Sequence, residues 1–284
     1  MKQLVNYPEA LVAQEVSRAL AEDLQDSVDW SASLIDEKKI SSATLICKEE
    51  MVVCGIAWVN QAFSQCSNSS VQLNWLVAEG DIVAPGTILC QINGNAQAML
   101  SAERTALNFM QTLSGTATTT RKYVLAVAGY GTQIMDTRKT IPGLRLAQKY
   151  AVRIGGGFNQ RIGLYDGALI KENHIIANGG IKEVLAYAKT KLPPQIPVQC
   201  EVETLTELHE AVASGARLIL LDNMSLAEMR EAVAYCLPYK ISLEISGNVT
   251  LTNLQEYAAT GVQRISIGAL TKNIAAIDLS LRFV

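Results

Sequence analysis

The chain has 284 residues, a formal net charge of -3 and a pI near 5.6, with 49% hydrophobic and 18% charged residues. The apolar content supplies a large core and excludes a disordered chain, and the acidic balance excludes a general nucleic-acid or anionic-membrane partner. At this length we expect one large α/β domain, or a barrel with a smaller domain.

The N-terminal stretch and the cysteines indicate the cellular compartment. Residues 1–8 lack the apolar run of a signal peptide, and no segment approaches the roughly 18 consecutive apolar residues of a membrane-spanning helix. The six cysteines form neither a CxxC motif nor a metal-ligand spacing. We therefore expect a cytoplasmic protein whose thiols are reduced and mostly buried.

The first part of the chain combines helices with strand-like runs. Apolar spacing predicts a helix at 8–25 and strands at 43–47, 51–59 and within 71–92. The strand pattern is similar to that of biotinyl and lipoyl carrier domains, but these need a lysine on an exposed hairpin. No lysine lies between Lys48 and Lys122, so we reject a carrier function. A long helix is predicted at 101–127, where small residues at 114–117 indicate either close packing or a break.

From residue 132 onward, short strands alternate with helices. Strands are predicted at 133–136, 152–154, 168–171, 197–202, 218–222, 241–245 and 264–267. Helices are predicted at 143–151, 181–191, 206–213, 225–235 and 250–260. Nearly every strand ends in charge or glycine, and such ends converge at the mouth of a β/α barrel but spread along an open sheet. We therefore expect an incomplete barrel of about seven strands.

A basic cluster lies in the middle of this acidic chain. Arg138, Lys139, Arg153, Arg161 and Lys171 surround glycine-rich turns, and the net charge does not explain their concentration. The cluster predicts a pocket for a small polyanion.

Two glycine turns follow late strands and are candidate phosphate loops, Ser246-Gly247-Asn248 and Ile267-Gly268-Ala269. Ordinary turn glycine is the alternative for each of them. The chain has neither a Walker A motif nor GxGxxG, so we expect neither a nucleoside triphosphate nor a dinucleotide.

Glu201 and Asp222 end otherwise apolar strands, where an unpaired carboxylate is costly. They can pair with Lys139 or Lys171, or they can bind Mg²⁺ together with substrate phosphates. Lys171 alone would suit a Schiff-base lyase. The two histidines carry no role here: His209, within a helical run, is expected either at the surface or in packing, and His174 near the mouth.

Several motifs together resemble the quinolinate phosphoribosyltransferase family over essentially the whole chain. They are 101–108, 113–118, Asp136-Thr137-Arg138-Lys139-Thr140, Lys149-Tyr150-Ala151-Val152-Arg153, Gly155-Gly156-Gly157, Leu169-Ile170-Lys171-Glu172-Asn173-His174, Leu221-Asp222-Asn223 and Ser246-Gly247-Asn248. The resemblance implies an N-terminal α/β sandwich over 1–111 that includes 274–284, and an incomplete β/α barrel over 112–273. It also implies a homodimer in which each sandwich covers the barrel mouth of the partner.

The resemblance further implies transfer of a phosphoribosyl group from phosphoribosyl pyrophosphate to quinolinate with decarboxylation, with Mg²⁺ as cofactor. By this carry-over Lys139, Lys171, Glu201 and Asp222 are catalytic, and Glu201 and Asp222 bind the metal. The quinolinate site comprises Arg104 from the neighbouring subunit, Arg138, Gln160, Arg161 and Lys171. The phosphate site comprises Ser246, Gly247, Asn248, Gly268 and Ala269.

Gln160 departs from the family pattern, which is Asn-His-Arg where this chain has Asn159-Gln160-Arg161. Glutamine keeps a donor for a carboxylate but carries no charge, so we expect weaker quinolinate binding without loss of the reaction. Three alternatives remain: a related transferase that acts on another heteroaromatic acid, the lyase, and a non-catalytic anion-binding protein.

Overall fold

The structure is a computed structural model that describes residues 7–25, 27–67 and 69–284. Residues 7–119 with Ile274–Val284 form one compact unit, and Thr120–Asn273 form the other. The sequence-based boundary after residue 111 and this division after residue 119 fall within the same helix. Residues 1–6, which carry most of the signal-peptide argument, lie outside the described part of the chain. No helix in the described part is long and apolar enough to span a membrane.

The elements are numbered in chain order. The strands are β1 (Ile40–Cys47), β2 (Met51–Val52), β3 (Gln72–Trp75), β4 (Ile82–Val83), β5 (Ile88–Asn95), β6 (Gln133–Met135), β7 (Ala168–Ile170), β8 (Val198–Val202), β9 (Leu218–Asp222), β10 (Ser242–Ser246), β11 (Arg264–Ser266) and β12 (Leu279–Phe283). The helices are α1 (Glu9–Leu24), α2 (Ile56–Ser67), α3 (Ala96–Ala126), α4 (Arg145–Ile154), α5 (Glu172–Asn178), α6 (Ile181–Lys191), α7 (Leu205–Ala213), α8 (Leu226–Cys236), α9 (Leu254–Ala258) and α10 (Ala269–Lys272).

The first unit contains an antiparallel sheet in the order β12-β1-β5-β3. Alternate residues of β1, including Ala43 and Leu45, are buried, while Ser42 and Thr44 lie on the other face. The predicted strand at 51–59 is wrong beyond Val52, because α2 begins at Ile56. The carboxylate of Glu79 accepts hydrogen bonds from the backbone N–H groups of Gly55 and Ile56 and so caps that helix. Because Glu79 is distant in sequence from the helix that it caps, the residues around Ile56 do not reveal where the helix begins.

The long helix α3 begins at Ala96, five residues before its predicted start, and it is continuous through the small residues at 114–117. These residues therefore pack closely rather than break the helix. Gly115 lies directly against the backbone of Ala275, and a Cβ atom there would come within 2.2 Å of that carbonyl oxygen. The hydroxyl of Ser114 donates to the carbonyl of Cys54 and accepts from its N–H. The small residues at 114–117 therefore pack against other segments of the same chain.

The second unit contains a parallel sheet in the order β6-β11-β10-β9-β8-β7. Within the described residues no ladder joins the edge strands β6 and β7, so the barrel is open, as predicted. It has six strands rather than about seven, because the predicted strand at 152–154 is the end of α4. The β-branched Val152 and Ile154 resemble a strand locally, but Gln148 and Val152 are both buried at helical spacing on one face of α4.

In this unit, strands such as β8 and β10 direct apolar side chains to one face of the sheet and polar side chains to the other. Residues such as Cys200, Ile219 and Ile245 belong to the hydrophobic core formed with the helices. The alternate positions of β8 and β10 carry polar side chains on the opposite face, Gln199, Glu201, Glu244 and Ser246. The inner face of the barrel is therefore polar before any loop contributes to it.

The remaining small predictions concern cysteine and histidine. All six cysteines are free, and all except the half-buried Cys66 are buried, as expected. His209 packs against Tyr235 with ring centroids 4.2 Å apart, as predicted. His174 instead accepts a hydrogen bond at Nδ1 from the backbone N–H of Lys171 (3.1 Å), so it caps α5.

Candidate active site

A pocket opens at the carboxyl ends of the parallel strands, and it brings together most of the basic cluster. It is lined by Thr137, Arg138, Lys139, Gln160, Arg161, Leu169, Lys171, Glu201, Leu220, Glu244, Ser246 and Ser266. The other predicted residues of this unit, Asp222, Gly247, Asn248, Gly268 and Ala269, do not line it. Arg104 lies in the other unit, exposed on α3.

The loop after β6, which carries Arg138 and Lys139, is fixed by buried polar groups. The amide of Gln148 accepts from the N–H of Ile141 and donates to the carbonyl of Thr271, both at 2.8 Å. The hydroxyl of Thr271 in turn donates to the carbonyl of Lys139 (2.8 Å). Gly268 lies beside this lysine, since a Cβ atom there would come within 3.1 Å of its Cδ. The second glycine turn is therefore next to Lys139.

A buried ion pair between Asp136 and Lys149 joins β6 to α4. Both side chains are completely buried. The other carboxylate oxygen of Asp136 accepts from the Asn159 amide (2.7 Å), and the N–H of Gln160 also donates to this carboxylate (2.9 Å). Burial raises the pKa of Asp136 to about 6 and lowers the pKa of Lys149, while each charge opposes the shift of the other. The pair thus positions the segment that precedes Arg161.

Arg138 and Arg161 line the same pocket as Glu201 and Glu244, but neither arginine is paired with a carboxylate in the part of the chain that the structure describes. Among the described residues, neither guanidinium forms an ion pair within 4.0 Å. The buried Nε of Arg138 has no hydrogen-bond partner in the described structure, and the guanidinium of Arg161 donates a 3.3 Å bond to the carbonyl of Gly167. Burial and the charge of Arg138 lower the pKa of Arg161. Two unneutralised guanidinium groups at one opening provide a site for an anion.

Lys171 and Glu201 form the remaining charged contact of the pocket. The ammonium group donates to both carboxylate oxygens, at 2.9 and 2.6 Å. Of the two partners considered for Glu201 from the sequence, the structure therefore selects Lys171. This contact engages the side-chain nitrogen with which a Schiff-base lyase would attack its substrate.

Asp222 lies at the rim, where it pairs in register with Ser246 of β10. Its carboxylate accepts a hydrogen bond from the side chain of Asn223 (3.2 Å). Burial and the charges of neighbouring carboxylates, Asp222 and Glu201 among them, raise the pKa of Glu203. In the described part of the chain no group of three or more acidic, histidine or cysteine side chains is arranged to hold a metal ion.

The first glycine turn has a backbone that only certain residues adopt. Gly247 has φ +102°, and a Cβ atom there would lie 2.2 Å from the Oδ1 of Asn223. Asn248 follows with φ +46°, and its carbonyl accepts from the side chain of Asn253 (3.0 Å). The turn is thus held closely against the loop after β9.

The polar floor of the pocket was not predicted from the sequence. Gln160 donates to Gln199 (2.7 Å) and to Glu244 (3.4 Å), and Gln199 also donates to Glu244 (3.1 Å). Burial raises the pKa of Glu244, whereas these donors and Arg264 lower it. A charged residue between Leu243 and Ile245 was the available signal, because a carboxylate inside an apolar strand needs partners.

Fold and site together define a class of protein: an open, parallel β/α barrel with a pocket of basic side chains at its mouth. Two family models match, "Quinolinate phosphoribosyl transferase, N-terminal domain" over residues 29–114 and "Quinolinate phosphoribosyl transferase, C-terminal domain" over residues 116–282. The chain therefore belongs to the quinolinate phosphoribosyltransferase family, as the motifs indicated.

Individual relatives agree with this assignment. The chain is 39% identical to a probable nicotinate-nucleotide pyrophosphorylase [carboxylating] of Synechocystis sp., over 93% of this chain and 90% of the relative. It is also 39% identical to a protein of that name from Bacillus subtilis, over 89% and 87% of the two chains. The solved nicotinate-nucleotide pyrophosphorylase from Francisella tularensis superposes with a TM-score of 0.96, 44% identity and 100% coverage of both chains.

Proposed function

We propose that this protein transfers the phosphoribosyl group of phosphoribosyl pyrophosphate to quinolinate and releases pyrophosphate and carbon dioxide, giving nicotinate mononucleotide. Membership of the family supports this reaction. The observation that carries the proposal is the pair of unneutralised guanidinium groups, Arg138 and Arg161, beside the Lys171–Glu201 ion pair in one pocket.

The acid site is formed by Arg138, Arg161 and Lys171. Quinolinate has carboxylates on adjacent ring carbons, and each planar carboxylate suits the two parallel N–H groups of a guanidinium. The two arginines lie near enough for the charge of Arg138 to lower the pKa of Arg161, and neither forms an ion pair in the described structure, so the substrate carboxylates can become their partners. The ring is thereby fixed with its nitrogen available for reaction.

Bond formation requires the ring nitrogen to attack the anomeric carbon while pyrophosphate leaves. Positive charge develops on the ribose, and the carboxylates of Glu201 and Asp222 stabilise it. Negative charge grows on the departing pyrophosphate, and Lys139 stabilises it together with the N–H groups of the turns at Ser246-Gly247-Asn248 and Gly268-Ala269. Fixed charges perform this work, so no protein nucleophile is needed.

Decarboxylation follows from the product of the first step. The ring nitrogen now carries a positive charge, which stabilises the electron pair left on the adjacent carbon when carbon dioxide departs. That carbon then takes a proton, and the product keeps one carboxylate. The arginines hold the ring in place throughout.

Mg²⁺ is proposed as the cofactor, and the donor set fits it in part. Asp222 and Glu201 supply the hard oxygen ligands that Mg²⁺ prefers. Two carboxylates are enough only if the substrate supplies further oxygens. The ion would neutralise charge on the pyrophosphate.

A homodimer with shared sites is also proposed. Arg104 is exposed on α3, so its guanidinium is available to a second subunit. Analytical ultracentrifugation at assay concentration tests this arrangement, and a fully active monomer contradicts it.

The decisive experiment measures pyrophosphate release from purified protein with quinolinate, phosphoribosyl pyrophosphate and Mg²⁺. We expect stoichiometric release of pyrophosphate and carbon dioxide, abolished by a chelator. Nicotinate in place of quinolinate is the matched control, because it cannot lose the second carboxylate. Activity with nicotinate alone would support the related transferase, binding without turnover the anion-binding protein, and borohydride trapping at Lys171 the lyase.

A further inference from the structure

The hydrogen bonds of the pocket floor have only one possible direction. The backbone N–H of Arg161 can only donate, so the atom of Gln160 that faces it at 2.7 Å must be the amide oxygen. The amide nitrogen of Gln160 then faces Gln199 Oε1 (2.7 Å) and Glu244 Oε1 (3.4 Å). Gln199 consequently directs its own amide nitrogen at Glu244 Oε2 (3.1 Å). The chain of bonds begins at Arg161 and ends on a carboxylate that accepts at both oxygens.

This arrangement leaves Gln160 with no N–H for a ligand. Its amide nitrogen carries two hydrogens, and Gln199 and Glu244 accept both of them. The side chains involved are almost completely enclosed, with Gln160 6%, Gln199 2% and Glu244 1% exposed. The geometry therefore does not support the predicted role of Gln160 as a direct donor to a quinolinate carboxylate.

We propose that Glu244 and Gln199 are positioning residues for substrate binding, which act through Gln160 to fix Arg161 at the acid site. The proposal rests on the proposed function, since it concerns the site for the aromatic dicarboxylate. Gln160 is held from two sides, because its own N–H donates to Asp136 (2.9 Å). Arg161 follows directly in the chain, so the orientation of Gln160 sets the point from which that guanidinium extends.

Glu244 is the residue on which the network depends. A carboxylate accepts from both amide nitrogens, whereas an amide in its place offers one oxygen and one further donor. In Glu244→Gln one N–H of Gln160 or Gln199 therefore faces another N–H, and a buried unpaired donor forces the side chains to rearrange. The displacement reaches Arg161 through Gln160 and weakens binding of the substrate carboxylates.

The test compares Glu244→Gln and Gln160→His with the wild-type protein, and uses Thr132→Val as a control. Thr132 is buried in the same unit, with its hydroxyl on the carbonyl of Val262 (2.8 Å), before the start of β6 and thus at the opposite end of the sheet. We expect Glu244→Gln to raise the KM for quinolinate at least about tenfold, with kcat and the KM for phosphoribosyl pyrophosphate changed less than about threefold. A merely structural defect would reduce the active fraction and leave KM unchanged.

Gln160→His distinguishes positioning from direct contact. An imidazole has two ring nitrogens for the three partners of Gln160, so we expect KM for quinolinate to rise. A lower KM would show that residue 160 reaches quinolinate directly and would overturn the proposal. Gln160→His also tests the proposal if Glu244→Gln does not fold.

Calorimetric titration of quinolinate separates this proposal from the proposed function. Wild-type protein that binds quinolinate without releasing pyrophosphate refutes the function, and weaker binding by Glu244→Gln would still support positioning. Turnover by wild type, with both variants unchanged in KM and affinity, refutes positioning alone. Failure of wild type to bind quinolinate overturns both.

Discussion

Two polar hollows in the described part of the chain, one in each unit, differ in charge, and of these two only the barrel pocket has the charge distribution of a binding site. The hollow on the antiparallel sheet is larger, about 490 Å³ against about 180 Å³ for the barrel pocket. Its lining contains hydroxyl, amide and apolar side chains and no charged side chain. These side chains bond to one another, as in Asn74 to Gln91 (3.2 Å) and Asn93 to Ser42 (2.8 Å).

The barrel pocket differs because it contains charged side chains, and its two arginines form no ion pair among the described residues. Arg138 and Arg161 have no carboxylate partner in the described structure, while the amides beneath them are fully bonded to Glu244. A site that is polarised before its ligand arrives needs little reorganisation when charge develops. The charge and pairing of the polar side chains, and not the volume that they enclose, therefore mark the candidate active site.

The largest expected effect is the loss of stability when the buried ion pair between Asp136 and Lys149 is broken. Asp136→Asn leaves Lys149 buried without a counter-charge, so we expect about 3–5 kcal/mol of destabilisation in urea unfolding. Asp278→Asn is the control, because its 3.4 Å pair with Lys48 is exposed and should contribute at most about 1 kcal/mol. Equal effects of the two substitutions would contradict the assigned role of the buried pair.

The next effect concerns the acid site. Arg138→Lys keeps the charge but loses the bidentate geometry, so we expect kcat/KM for quinolinate to fall on the order of 100-fold. The exposed Arg230 on α8 provides the matched control, and Arg230→Lys should leave kcat/KM unchanged. Near-normal turnover by Arg138→Lys would exclude a paired guanidinium contact with substrate.

The smallest effect is expected on the antiparallel sheet. Gln91→Ala and Asn93→Ala remove half-exposed or exposed amides that bond only to neighbouring side chains, so stability should change by about 0.5 kcal/mol or less. Steady-state kinetics should show unchanged kcat/KM. A tenfold loss of activity would show that this hollow also belongs to a functional site.

Much of the fold could be predicted from the sequence, because strand–helix alternation is a local signal. The family is confirmed, the barrel is open as expected, and the bounds of α6 and β9 agree with the structure. The strand predictions beyond Val52 in 51–59 and at 152–154 are wrong because β-branched residues suit strands but also occur in helices. The carboxylate of Glu79 caps α2 after the first of these positions. Burial of Gln148 and Val152 at helical spacing favours α4 at the second.

The site was predicted only where charge and position in a motif coincide. Four of the five basic residues of the cluster meet Glu201 in one pocket, whereas Arg153 does not line it. The contacts among Gln160, Gln199 and Glu244 depend on the register of β8, β9 and β10, and a single sequence does not reveal register between strands distant along the chain. The partner of Lys149 was missed for a similar reason, since the pair joins a strand to a helix.

The pairing of β12 with β1 has a consequence for synthesis on the ribosome. The antiparallel sheet begins with Ile40–Cys47, but its strand Leu279–Phe283 is translated only after all of Thr120–Asn273 has been made. Until then one edge of β1 lacks its partner and can pair with other nascent chains. In contrast, the described part of the barrel unit, Thr120–Asn273, is one continuous stretch of chain. Its strands can therefore pair before β12 has been translated.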